Sequence, residues 1–137
     1  SRTLLLPIVE SVVIVQSSLL SGKSVEVEVA VDPEFAVSST PGVVQILLSN
    51  LISNAFQHTQ AGTVSIRTLG DNTLVVADTG PGIDPALESK VFEGFVKGEN
   101  STGFGVGLSI VKRLCEHQGW TIDLTSSAEG TRVAVVF

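Results

Sequence analysis

Apolar residues near the start of the chain recur at the spacing of a helix. Leu6, Val13 and Leu20, together with Ile8, Val12, Val15 and Leu19, fall one or two turns apart behind Pro7, which predicts a first helix from residue 7 to about 20. The period then changes to two: Val25, Val27, Val29 and Val31 alternate with Glu26 and Glu28, so the valines share one face of a half-buried strand and the carboxylates the other. Asp32-Pro33 turns the chain into a short strand over 35–38. Thr40 stands as an N-cap before Pro41, and Val44, Leu47, Leu48, Leu51, Ile52 and Ala55 form one stripe on a second helix reaching about His58. Two strands, 63–69 and 73–78, flank Gly70-Asp71-Asn72 and read as a hairpin. A glycine-rich stretch over 79–105 has no periodicity. A third helix from 106 to about 118 follows, and strands over 120–125 and 131–137 close the chain. Three helices against one mixed, largely antiparallel sheet make an α+β two-layer sandwich, a single domain over residues 1–137.

Composition narrows the functional classes. With 137 residues, 43% of them hydrophobic, the chain is large enough to bury one sizeable core and to fold alone. A net charge of −6 and a pI near 4.7 leave no electrostatic footprint for nucleic acid or an anionic membrane surface. No apolar run reaches the ~20 residues of a membrane span, so a soluble domain is expected. The single Cys115 excludes an internal disulfide and fits a reducing compartment; set in an apolar helical pattern, it is expected to be a core residue. Ser1 and the lack of any methionine suggest a piece excised from a longer protein.

Compact domains rarely keep more than about 12 to 15 structureless residues without a functional reason, which directs attention to the stretch between 79 and 105 and to its flanks. Four groups of residues stand out. Asn50 and Asn54 lie four apart on the second helix, followed by Gln57 and His58; a solvated helix flank is the plain alternative, but asparagine is a poor helix former, and its neutral oxygen suits a Mg²⁺ already surrounded by phosphate. The buried run Leu74-Val75-Val76-Ala77 leads straight into Asp78-Thr79-Gly80-Pro81-Gly82-Ile83. A carboxylate fixed there accepts from the exocyclic amine of adenine and disfavours guanine, whereas Gly-Pro alone would be turn chemistry. Gly103-Phe104-Gly105-Val106-Gly107-Leu108 opens the third helix, where free amides and the helix dipole favour phosphate. It lacks the βαβ surroundings of a dinucleotide fingerprint and the Gly-Lys-Ser/Thr of a Walker loop. Phe92-Glu93-Gly94-Phe95-Val96-Lys97 precedes a polar tip over 98–102, expected to be mobile without nucleotide and anchored by Phe92 and Phe95.

In this order the four groups resemble the boxes of the GHKL superfamily of ATPases and kinases, and specifically the catalytic domain of two-component sensor histidine kinases. Residues 50–55 resemble the N box, 78–83 the first glycine box, 91–97 the F box, 103–108 the second glycine box, and Gly130-Thr131 the last glycine motif. The resemblance implies the Bergerat type of α/β sandwich and a site for ATP and Mg²⁺. By it, Asn54 would coordinate Mg²⁺, Asn50 would support the phosphate site, Asp78 would hold adenine, and Lys97 would approach the phosphates from the lid. Asn50, Asn54 and Lys97 would thus be the catalytic set. Gly103, Gly105 and Gly107 would cradle the triphosphate, and Gln57, His58, Gly80, Gly82, Ile83, Phe95, Val106, Leu108 and Thr131 would complete the nucleotide site. Gln57 stands where a lysine is common in the family, and His58 where an aromatic is.

Hydrolysing members of the superfamily carry a glutamate four residues before the metal-binding asparagine. Here that position is Asn50, whose amide has no useful basicity, so transfer to a supplied nucleophile is favoured over attack by water. Neither His58 nor His117 has the surroundings of the family's phosphoacceptor. The resemblance therefore implies, as partners, a histidine-bearing dimerisation domain upstream in the same kinase and a response regulator downstream, with no nucleic acid and no direct membrane contact by this domain. It implies a cytoplasmic place within a larger, membrane-anchored bacterial sensor. A degenerate GHKL domain that regulates a partner kinase by docking, and a serine kinase of the anti-sigma type, are the alternatives.

Overall fold

The computed structural model describes residues 2–79 and 104–137. The chain enters through a two-residue strand, β1 (Thr3–Leu4), and passes directly into α1 (Leu5–Gln16), which tightens into a 3₁₀ turn over Ser17–Leu20. The helix thus starts two residues before Pro7, which sits in the first turn where its missing N–H leaves no bond unmade. Its buried face is Leu5, Val9 and Val12, whereas Val15, expected inside, is 71% exposed. Apolar residues occupy nearly every position of this helix, so spacing alone defines no unique face.

After β2 (Ser24–Ala30) and the short β3 (Ala36–Val37) comes α2 (Pro41–His58), capped by the Thr40 hydroxyl, which accepts from the Val43 amide. The remaining elements are β4 (Ala61–Leu69), β5 (Thr73–Asp78), α3 (Phe104–Gln118), β6 (Thr121–Ser127) and β7 (Gly130–Val136). The main sheet has the order β2-β4-β5-β7-β6, antiparallel except for the β2–β4 pair, while β1 and β3 pair separately. Parallel neighbours need a crossover, and α2 supplies it. Among the described residues, the expected mixed sheet under three helices is therefore the architecture observed. The pairing of β1 with β3 was not anticipated, because two residues carry no readable period.

Helix α2 lies between α1 and α3 and rests on β5, so it is enclosed on three sides. All six residues of its predicted stripe are buried, and so are Phe56 and the polar Asn54. The valines Val25 and Val27 pack against the core while Glu26 and Glu28 stay exposed, as their alternation requires. Cys115 is 1% exposed, and burial pushes its thiol up to about 11, so it is a protonated core residue at neutral pH. No helix among the described residues is long and apolar enough to cross a membrane.

The two ends of the sheet differ in character. At the β4–β5 hairpin end, Phe137 donates its amide to Asn72 at 2.8 Å, and its ring meets Trp120 edge-on at 4.8 Å and Phe35 at 6.0 Å between centroids. Aromatic packing closes the core there. The opposite end holds the polar residues singled out above.

Candidate functional site

Five chain segments converge at that polar end: the C-terminus of α2, the start of β4, the end of β5, the start of β7 and the N-terminus of α3. The antiparallel run of α2 and α3 fixes two of them. At the far end of the pair Ser39 Oγ bonds Gln118 Oε1 at 3.1 Å; at the near end a Cβ placed on Gly107 would lie 3.9 Å from Asn50 Oδ1. Asn50 of the N box and Gly107 of the second glycine box, 57 positions apart in sequence, thus lie side by side. The third helix begins at Phe104, two residues earlier than its pattern suggested, which puts Gly105 and Gly107 inside its first turn. The first four amides of a helix have no intrahelical acceptor, so this turn offers donors rather than a loop cradle.

The two asparagines of α2 differ in their surroundings. Asn50 is half-buried and donates Nδ2–H to the Ile46 carbonyl at 2.7 Å, which turns its oxygen toward α3. Asn54 is 5% exposed, and its Oδ1 is buried without a hydrogen-bond partner among the described residues. An orphaned buried acceptor costs about 1–3 kcal/mol, so its retention points to a ligand that supplies the missing donor or cation. The oxygen of a neutral amide fits Mg²⁺. Among the described residues no three His, Cys, Asp or Glu gather as a metal cage, so a cation held here would rest on Asn54 and on the oxygens of its nucleotide. Gln57 is exposed and His58 half-buried on the last turn. Thr59, which directly follows, is fully buried with Oγ1 likewise lacking a partner among the described residues. No periodicity marks Thr59, and the sequence did not single it out.

Asp78 ends β5, half-buried, with Thr131 of β7 as its cross-strand partner on one side and Val64 of β4 on the other. Thr131 is 4% exposed and lies with its Oγ1 3.3 Å from Ser126 Oγ. Two glycines give this strand end its place. Gly130, at φ +146°, has no room for a Cβ, which would run into the Asp78 carbonyl. Gly62, at φ +122°, is filled in the same way by the Thr79 hydroxyl. The backbone of Thr79 donates to the Thr63 carbonyl at 3.1 Å, and its hydroxyl accepts from the Thr63 amide at 2.9 Å. Asp78-Thr79 is therefore wedged from both neighbouring strands. The sequence signalled Gly130-Thr131; Gly62 lies just outside the strand expected over 63–69, whereas β4 begins at Ala61 and a glycine inside a strand is itself a sign of close backbone approach.

A cleft of about 250 Å³ lies beside these strand ends. Asp78 and Thr131 line it, but so do Ala77, Thr125 and Arg132 from the sheet face away from the helices, and none of the described residues of α2 or α3 does. It is the shoulder of the sheet and not the space between Asn50, Asn54 and Asp78. Leu108 is fully buried in the core, so only its backbone could face a ligand. Gly80, Gly82, Ile83, Phe95, Lys97, Gly103 and the polar tip over 98–102 lie outside the described residues, as do the side chains of residues 104–106.

Similarity to known proteins follows the same residues. The family described as histidine kinase-, DNA gyrase B-, and HSP90-like ATPase matches residues 40–137. The sensor protein QseC of Salmonella typhi is 37% identical over 98 residues, covering 70% of this chain and 22% of that protein. The sensor protein TorS of Escherichia coli is 33% identical over 129 residues, 90% of this chain and 14% of its own length. The chain thus spans under a quarter of each. Among solved structures, full-length ShkA in complex with AMPPNP superposes with a TM-score of 0.83 at 28% identity, covering 98% of this chain and 30% of that one. The chain belongs to the histidine kinase-, DNA gyrase B- and HSP90-like ATPase family, where its relatives are sensor histidine kinases.

Proposed function

We infer that this chain is the catalytic domain of a sensor histidine kinase, which binds Mg-ATP and passes the γ-phosphoryl group to a histidine on a separate dimerisation domain. The observation that carries this reading is Asn54, a buried amide oxygen lacking a partner among the described residues, on the helix that packs against both α3 and the strand that ends in Asp78. Asn54 would hold Mg²⁺, whose charge would offset that of the phosphates. Asp78 accepts from the adenine amine, wedged in place by Gly62 and Gly130. The first amides of α3 and the Asn50 oxygen beside Gly107 line the phosphate end. Asn50 cannot take a proton from water, so hydrolysis goes unassisted and a positioned imidazole becomes the productive nucleophile. Lys97 would act on the phosphates, and a response regulator would receive the group from the phosphohistidine. Such a domain works in the cytoplasm as part of a larger, membrane-anchored sensor.

Incubation with radiolabelled ATP tests the reaction. The isolated chain should bind Mg-ATP, turn over almost none and take up no label, and adding the dimerisation domain of the parent kinase should restore transfer. Label on the isolated chain would overturn the assignment of roles. Absence of both binding and transfer would favour a regulatory docking module instead.

Specificity for the base follows from Asp78. ATP should bind and GTP should not. Asp78→Asn places an amide donor against the adenine amine, which costs about 1–3 kcal/mol and lowers ATP affinity by about tenfold or more. Calorimetry giving equal affinities for ATP and GTP would contradict the role of Asp78.

A further inference from the structure

The last carbonyls of a helix have no intrahelical donor, and in α2 two of them are met by a side chain from outside the helix. Lys23 donates Nζ–H to the carbonyl of Phe56 at 2.8 Å and to that of Gln57 at 3.0 Å. Its own backbone is held by a tight turn: the Lys23 amide donates to Leu20 at 3.0 Å, and Gly22 takes φ +78°, a conformation side chains disfavour. Immediately after it, Ser24 opens β2 in register with Ala61, the first residue of β4. The ammonium therefore sits where α2 hands over to the sheet, against the negative end of the helix dipole.

We propose that Lys23 is a positioning residue for the metal end of the nucleotide site, acting through the last turn of α2. That turn runs from Asn54 to His58, and its outer carbonyls are the two that Lys23 grips. Asn54 gives its oxygen no hydrogen-bonded anchor among the described residues, so the oxygen's direction depends on the helix backbone that carries it. A frayed final turn would let that backbone rotate. Fixing the end of α2 to the turn before β2 holds the Asn54 oxygen in one direction before any cation arrives, which lowers the cost of ordering it on binding. The proposal rests on the nucleotide site described above.

Lys23→Met keeps the apolar stem and removes the donor, and Lys23→Arg keeps a cation able to reach carbonyls. Calorimetry with ADP, with and without Mg²⁺, should be run well below the thermal midpoint of each variant. Lys23→Met should weaken Mg-ADP by about fivefold to tenfold while changing metal-free ADP by less than about twofold, and Lys23→Arg should recover most of the loss. A simple loss of positive charge near the site would instead weaken metal-free ADP, the more anionic ligand, at least as much. Equal weakening with and without Mg²⁺, or unchanged affinities with only a lower thermal midpoint, would overturn the proposal and leave the site assignment standing. Failure of the unaltered chain to bind Mg-ADP would overturn both.

Discussion

Gly130→Ala is expected to destabilise the protein by about 3 kcal/mol or more and to remove most of its ATP affinity. Two effects act together. The residue sits at φ +146°, where any side chain is strained, and its new Cβ would run into the carbonyl of Asp78 on the neighbouring strand. Relief requires β5 and β7 to part at the one place where Asp78 and Thr131 face each other. The carboxylate would then lose the position from which we propose that it meets adenine. Urea denaturation reads the first effect and calorimetry with ATP the second. Stability within about 1 kcal/mol of the unaltered chain, with normal ATP affinity, would show that the strand end accommodates a methyl and that Gly130 is there for another reason.

Asn54→Ala is expected to separate function from stability. A buried asparagine that anchors a core normally costs several kcal/mol to remove, because its partners are left unpaired. Here the oxygen has no partner among the described residues, so its removal relieves one unsatisfied acceptor while opening a small void, and stability should change by less than about 1 kcal/mol. Transfer to the acceptor histidine should nonetheless fall by about a hundredfold or more, since the proposed metal ligand is lost. Thermal denaturation beside the labelling assay decides the matter. A loss near 3 kcal/mol with transfer intact would make Asn54 a structural anchor instead.

How much of this was legible in the sequence depended on the range of the interactions. The α2 stripe could be read because one face of one helix carries it, and the β4–β5 hairpin because Gly70-Asp71-Asn72 lies between an alternating run and an apolar one. The face of α1 could not, since Leu5 through Val15 is apolar almost throughout and only packing against α2 selects Leu5, Val9 and Val12. In the site, Asn50, Asn54, Asp78 and Gly130-Thr131 were visible as motifs. The wedge of Gly62 on Thr79 and the grip of Lys23 on α2 were not, because one joins residues 17 positions apart and the other residues more than 30 apart, and neither leaves a periodic pattern. The closeness of Asn50 to Gly107 joins two motifs that were read separately.

The aromatic end of the sheet has a consequence for how the chain can be joined to other things. Leu5 donates its amide to the Phe35 carbonyl at 3.0 Å, and the Phe35 ring lies 6.0 Å from that of Phe137, so the two extremities of the described chain are neighbours in space. Both lie away from the polar end where α2, β5 and α3 converge. A short linker could therefore close the polypeptide into a ring, and a circular permutant opened at the turn of Ser21 and Gly22 would keep its sheet order while releasing Lys23 from the segment that presents it. Attachments at either extremity, whether a fluorescent reporter or a neighbouring domain, hang from one corner, at the opposite end of the described residues from Asn54 and Asp78.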